Sequence, residues 1–146
     1  MSFSPEETRR YARHLVLRDI GGAGQQQLKA ARVLVVGAGG LGSPVIAYLA
    51  GAGIGHLRVV DHDTVSLSNL QRQIVHRTAD AGVTKVESAA RFAHDLNGFV
   101  TIEPIAERFA ADNAARLVAG MDLVIDGTDH FDTRRLVATT AAASVG

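Results

Sequence analysis

The stretch that most constrains the fold is Val33-Leu34-Val35-Val36, followed at once by Gly37-Ala38-Gly39-Gly40-Leu41-Gly42. A run of branched apolar residues has no polar face to turn to solvent, so it reads as a strand buried on both sides in a parallel sheet. The glycines that follow fit the G-x-G-x-x-G pattern. Gly37 permits the tight turn, Gly39 lets a phosphate approach the backbone, and Gly42 lets a helix pack closely on the strand. From Gly40 small and apolar residues recur at helical spacing up to Gly51 and Gly53, and Leu57 to Val60 reads as the next strand, ending on Asp61. Strand, turn, helix and strand make one βαβ unit, which crosses over right-handed and belongs to a parallel sheet. Asp61 lies roughly 20 positions past Gly42, where a carboxylate can accept the hydroxyls of a ribose.

The same alternation continues on either side. Ser4, Pro5, Glu6 and Glu7 read as a hydroxyl cap, a first-turn proline and acids at the positive end of a helix running to Leu15. Gly21, Gly22 and Gly24 are expected to break the chain before a short helix from Gln25 to Ala31. Residues 62–81 are polar and irregular, the mark of a functional loop. Helices are then expected at Thr84 to Leu96, Asp112 to Val118 and from Phe131, with strands at Val100 to Ile105 and Asp122 to Asp126. The fold class is therefore α/β: a Rossmann-like parallel sheet with helices on both faces, preceded by an N-terminal helical segment. We expect one domain over 1–146, with 1–31 the helical segment and 32–146 the core.

Composition excludes several functions. With 15 basic and 15 acidic residues the formal charge cancels, so no global field draws the chain onto nucleic acid or an anionic membrane. No cysteine is present, which removes disulfides, thiolate zinc sites and a cysteine nucleophile. The acidic start, from Met1 through Glu7, is unlike a signal peptide, and no apolar run reaches membrane-spanning length, so the expected location is the cytoplasm. The histidines, at 14, 56, 62, 76, 94 and 130, show no metal-ligand spacing and read as surface or hydrogen-bonded structural residues.

The loop bears on which nucleotide is bound. Hydride transfer needs a flat nicotinamide pocket, whereas cleaving a triphosphate calls for positive charge around the departing pyrophosphate. Asp61 to Gln73 places Asn69, Arg72 and Gln73 within a turn of one another, which suits a phosphate clamp. Lys85 opens a helix, a position unfavourable for a cation unless an anion lies nearby. Read one at a time, Arg72 and Lys85 could equally be solvated surface charges. Asp126 and Asp129 flank Gly127-Thr128 at a strand's carboxyl end, where open sheets bind ligands. Asp126 is read as a turn or helix cap in preference to a metal ligand.

At this point the chain resembles the MoeB/ThiF family of adenylating enzymes, relatives of the ubiquitin-activating enzymes. The resemblance is carried by Arg10-Tyr11-Ala12-Arg13-His14, by Ala31 through Pro44 including the glycine turn, by Asp61 and Ser68-Asn69-Leu70-Gln71-Arg72-Gln73, by Lys85-Val86-Glu87-Ser88-Ala89, and by Asp126-Gly127-Thr128-Asp129 to Arg134. It implies that Gly37, Gly39, Gly40, Gly42, Asp61 and Asp63 hold the AMP part of ATP. It further implies that Asn69, Arg72, Gln73 and Lys85 contact phosphates, and that Asp129 binds Mg2+. The residue matching Arg13 reaches in that family into the ATP site of the partner subunit, which implies a homodimer. The activity implied is ATP-dependent adenylation of the C-terminal glycine of a ubiquitin-like sulfur-carrier protein, of the molybdopterin or thiamine pathway type, with release of pyrophosphate. Arg72, Lys85, Asp129 and Arg13 would be its catalytic residues.

The chain departs from the family at His130 and Ala138, where asparagine is common. Family members also continue for roughly another hundred residues, with two Cys-x-x-Cys pairs for a structural zinc and the surface that grips the carrier. The chain is thus expected to be the N-terminal part of such a protein. Two rivals stay open on the sequence: a truncated domain that binds nucleotide or dimerises without full activity, and an NAD-dependent oxidoreductase, which the glycine pattern and Asp61 also permit.

Overall fold

Four parallel strands form the centre of the molecule, a Rossmann-like sheet covered by helices. The computed structural model describes residues 2–144; Met1 and Gly146, which bound the expected domain, lie outside the described residues. The strands are β1 (Arg32–Val36), β2 (His56–Val60), β3 (Thr101–Ile105) and β4 (Leu123–Asp126). Val35 of the central strand pairs with Val59 on one side and Ile125 on the other. Alternate β1 side chains serve opposite faces, as the pleat requires. Val33 and Val35 join one buried cluster with Ile46, Ala50, Ala89 and Ala93, while Leu34 and Val36 join another with Leu117, Val118 and Val137. The helices α4 (Gly42–Ala52) and α5 (Lys85–Leu96) therefore cover the first face, and α6 (Ala114–Val118) and α7 (Phe131–Ser144) the second.

The N-terminal segment differs from its expected form. Ser4 does cap α1 (Pro5–Arg10): its hydroxyl accepts from the Glu7 N–H at 3.1 Å, and Glu7 accepts from the Ser4 N–H in return. The helix does not run unbroken to Leu15. It bends at Tyr11 and restarts as α2 (Ala12–Leu15), because the Tyr11 ring is buried and its hydroxyl accepts from Asn97 Nδ2 at 2.8 Å. The glycines expected to break the chain instead lie inside α3 (Gly21–Ala30). Tertiary contacts override their poor helix propensity. Gln25 is fully buried, its Oε1 accepting from His14 Nδ1 at 2.9 Å and its Nε2 donating to the Ala52 carbonyl at 2.8 Å, and a Cβ on Gly24 would stand 3.2 Å from Ile20 Cγ2.

These contacts join the N-terminal helices to the carboxyl ends of α4 and α5. Arg10 adds a bond from its guanidinium to the Leu96 carbonyl, and Asn97 Nδ2 donates to Ala50 as well as to Tyr11. Because α4 runs antiparallel to the strands it covers, its carboxyl end lies at the amino edge of the sheet. The opposite edge is left open for a ligand. There the chain moves from β1 outward to β2 and β3, then returns to the other side of β1 for β4, which creates the switch point where open α/β sheets place their sites. Residues 62–81 lie at that edge and remain irregular apart from an isolated bridge from Thr64 to Thr84 and two 3-10 turns, Leu67–Asn69 and Thr78–Asp80. No helix among the described residues is long and apolar enough to cross a membrane.

Ile46 is wholly buried between β1 and α5. Its truncation in Ile46→Ala should cost about 2–5 kcal/mol through lost transfer energy and the cavity left behind. Urea unfolding followed by circular dichroism should show a lower midpoint with an unchanged slope.

Candidate functional site

The site begins where three stretches of backbone meet. A Cβ on Gly42 would stand 1.8 Å from the Gly37 carbonyl oxygen, and one on Gly127 would stand 3.0 Å from the Gly42 Cα. Only glycine allows β1, the start of α4 and the end of β4 to come this close. The turn itself leaves the Gly39, Gly40 and Leu41 N–H groups without a hydrogen-bond acceptor among the described residues. They sit at the amino end of α4, where backbone donors and the helix dipole both favour an anion.

Asp61, at the end of β2, has a role beyond the ribose contact expected of it. One carboxylate oxygen accepts from the Ala38 N–H and the other from the Asp63 N–H, each at 2.8 Å. The carboxylate therefore braces the glycine turn, and each oxygen keeps a lone pair for a ligand.

The loop brings the phosphate-clamp candidates to the same place. Arg72 and Gln73 both donate backbone N–H groups to the Asn69 carbonyl, at 3.3 and 3.0 Å, which winds the three residues into one turn. The Arg72 side chain lies over Gly40, its Cδ and Nε 3.4 Å from the position a Cβ there would take. Gln73 is 3% exposed with its amide beside Gly39, and its Oε1 has no hydrogen-bond partner among the described residues. Lys85 is 6% exposed in the first turn of α5, so it is not a solvated surface charge. Its ammonium lies 3.8 Å from the exposed Asp63 carboxylate.

Asp126 forms the turn cap expected of it: its carboxylate accepts from the Thr128 N–H at 2.9 Å and the Thr128 hydroxyl at 2.6 Å. Asp129 follows, exposed and with no hydrogen bond to its carboxylate among the described residues.

These residues line one cleft of about 770 Å³. Gly37, Gly39 and Gly40 contribute the turn, Asp61 and Asp63 the end of β2, Asn69, Arg72 and Gln73 the loop, Lys85 the start of α5, and Asp129 the segment after β4. Gly42 is packed behind the turn and is not in the lining, and Arg13 is exposed on α2, outside the cleft of its own chain. Glu107, Arg108 and Phe109, which follow β3 and complete the lining, are not legible as site residues in the sequence. Their signal was positional, since they leave the carboxyl end of a parallel strand. The grouping of Asp61, His62 and Asp63, whose ligand atoms lie within 4.8 Å of one another, is not legible there either. Adjacent residues do not form a familiar ligand spacing. Asp129 is not part of that group.

A buried polar chain supports the turn from beneath. His76 Nε2 bonds the Ala38 carbonyl at 2.8 Å, His76 Nδ1 contacts the Ser88 hydroxyl at 2.8 Å, and Ser88 donates to Asp80 at 3.0 Å. Arg77 and Arg91 pair with Asp80 from its other side. Burial pushes the His76 imidazole below its usual range, opposed by its bond to Ala38. Burial pushes the Asp80 carboxyl up, but bonds from Arg77, Ser88 and Arg91 outweigh it and hold the group at about 2.

A parallel sheet with a glycine turn at its switch point, and cations gathered around that turn, defines an α/β domain of the nucleotide-binding type. The family follows from comparison. The chain belongs to the ThiF family, whose model matches residues 11–145. It is 48% identical over 137 residues to the SAMP-activating enzyme E1 of Haloferax volcanii, covering 94% of this chain and 51% of that protein. It is also 48% identical over 140 residues to the probable adenylyltransferase/sulfurtransferase MoeZ of Mycobacterium tuberculosis, covering 96% of this chain and 36% of that one. The chain thus spans about half or less of these relatives. Among solved structures it matches the tRNA N6-threonylcarbamoyladenosine dehydratase TcdA of E. coli in complex with ATP, with a TM-score of 0.91 and 26% identity over 98% of this chain and 58% of that one.

The Asp80 cluster sets an acid limit on stability. A carboxyl lowered on folding from its ordinary 3.8 to about 2 contributes stability that is complete above the ordinary value and lost as pH falls through the folded one. Stability of the wild-type chain, measured by urea unfolding, should therefore decline between pH 5 and pH 2. In Asp80→Asn that decline should be shallower, from a lower starting stability.

Proposed function

We propose that this chain is the nucleotide-binding part of an adenylyltransferase. In this reading it activates the C-terminal glycine of a ubiquitin-like sulfur-carrier protein with ATP and releases pyrophosphate, as in molybdopterin- or thiamine-type sulfur pathways. The observation that carries the reading is the convergence of Arg72, Lys85 and Asp129 on the cleft that holds the unpaired N–H groups of the glycine turn. Such a set suits a triphosphate better than the flat, weakly charged surface a nicotinamide needs.

The chemistry follows from charge. The attacking carboxylate titrates near pH ~3.5 and is ionised at neutral pH, so no general base is required. The barrier that remains is repulsion between two anions, together with charge growing on the departing pyrophosphate. Free N–H donors at Gly39 and Gly40 hold the phosphates at the helix start, while Arg72 over Gly40 and the buried Lys85 supply positive charge. The Asp61 carboxylate keeps lone pairs toward the ribose. Asp129 fits a magnesium ligand, since its carboxylate has no competing hydrogen bond among the described residues, and a single carboxylate plus substrate phosphates is a usual magnesium set. Asp129 would hold such an ion, which would supply positive charge against the phosphates.

Arg13 is assigned to the cleft of a second copy. Its exposed position on α2, away from its own cleft, supports that assignment. The partners in this reading are the carrier protein and a second copy of the chain.

ATP with magnesium should raise the melting temperature of the chain and NAD should not; the reverse outcome would reject adenylation in favour of hydride transfer. In a pyrophosphate-exchange assay with a candidate carrier, Lys85→Ala and Asp129→Asn should each reduce exchange by about 10²–10³-fold with the melting transition preserved. Binding of ATP without carrier-dependent exchange would reduce the chain to a nucleotide-binding module. An Arg13→Ala chain mixed with a Lys85→Ala chain should regain exchange, because a mixed dimer contains one intact site. No recovery would show that Arg13 does not act across an interface.

A further inference from the structure

Ala38 is held by both ends. Its N–H donates to Asp61 at 2.8 Å, and its carbonyl accepts from His76 Nε2 at 2.8 Å, with a longer contact of 3.4 Å from the Ser43 hydroxyl. The two peptide planes that meet at its Cα are thereby fixed. In a planar trans peptide the carbonyl and the following N–H point in opposite directions. A carbonyl drawn inward by the buried His76 thus turns the next N–H, that of Gly39, outward. Gly39 lines the cleft, and its N–H has no acceptor among the described residues.

The imidazole is itself prevented from rotating. A carbonyl can only accept, so Nε2 carries a proton in either charge state of the ring. Nδ1 faces the Ser88 hydroxyl, which in turn reaches Asp80, and Asp80 is anchored by Arg77 and Arg91. Flipping the ring would break both contacts at once. The proton on Nε2 is present whichever charge state the ring adopts, so the ring serves as an oriented donor under the turn.

We propose that His76 is a positioning residue for phosphate binding: by holding the Ala38 carbonyl inward it aims the Gly39 N–H at a nucleotide phosphate. The inference rests on the nucleotide-binding reading above and adds to it a residue that never meets the nucleotide.

The test measures calorimetric binding of ATP, AMP and adenosine to the wild-type chain, His76→Phe and His76→Gln. Phenylalanine keeps a flat ring but has no donor, whereas the glutamine amide can reach the place of Nε2. His76→Phe should weaken ATP and AMP about tenfold, the worth of one well-placed hydrogen bond, and leave adenosine unchanged. His76→Gln should recover most of the loss. Equal weakening of adenosine, undiminished phosphate binding in His76→Phe, or no recovery in His76→Gln would each overturn the inference while leaving the nucleotide reading in place. A wild-type chain that binds none of the three ligands overturns both. If His76→Phe does not fold, His76→Gln against His76→Asn makes the same comparison, because the asparagine amide reaches only the place of Nδ1. If neither of those folds, His76 serves the fold and the positioning role is rejected.

Discussion

The backbone contact among Gly37, Gly42 and Gly127 is the constraint on which the rest of the molecule depends. It fixes the distance between the central strand and the helix that follows it, and it brings the end of β4 against the same turn. A single Cβ at Gly42 would overlap the Gly37 carbonyl, so the contact cannot be relaxed by a rotamer change. The cleft exists because the two arms of the sheet diverge from this point. Everything that lines it is measured from the glycine turn.

Around that turn the protein spends polar groups on holding backbone. Asp61 secures the Ala38 N–H, His76 the Ala38 carbonyl, and Asp126 the turn at Thr128. Such bonds leave the remaining N–H groups of the turn oriented before a ligand arrives, which reduces the reorganisation a bound phosphate must impose. The cations are held differently. Lys85 is buried and fixed by the start of α5, whereas Arg72 is exposed and reaches Gly40 from an irregular loop. One charge belongs to the scaffold and the other to the loop that covers it. The N-terminal helices stand apart from this arrangement, attached through Tyr11, Gln25 and Asn97 to the opposite edge of the sheet.

Much of the architecture was legible because it depends on periodicity. The uninterrupted Val33–Val36 run, the glycine pattern and the return of strand signals near Leu57, Val100 and Asp122 prescribe a parallel sheet, and β1 is buried on both faces as its composition requires. The parts not legible are those where tertiary contacts override local preference. Gly21, Gly22 and Gly24 look like breakers, yet the burial of Gln25 draws them into α3. Tyr11 carries no signal for a bend, since the cause is its contact with Asn97 far along the chain. Glu107 to Phe109 escaped notice because their claim to the site comes from the strand they follow and not from their own chemistry.

What the sequence determined by itself, then, is the fold class, the turn that an anion can approach, and the inventory of charges from which a site could be made. These are local properties, set by side-chain branching, glycine and short-range spacing. Only the tertiary structure decided which charges share one cleft, that Lys85 is enclosed while Arg13 lies outside, and that His76 supports the glycine turn. Those facts depend on strand order. Placing β4 beside β1 rather than beyond β3 brings residues distant in sequence to a single edge, and no periodicity within one segment encodes that choice.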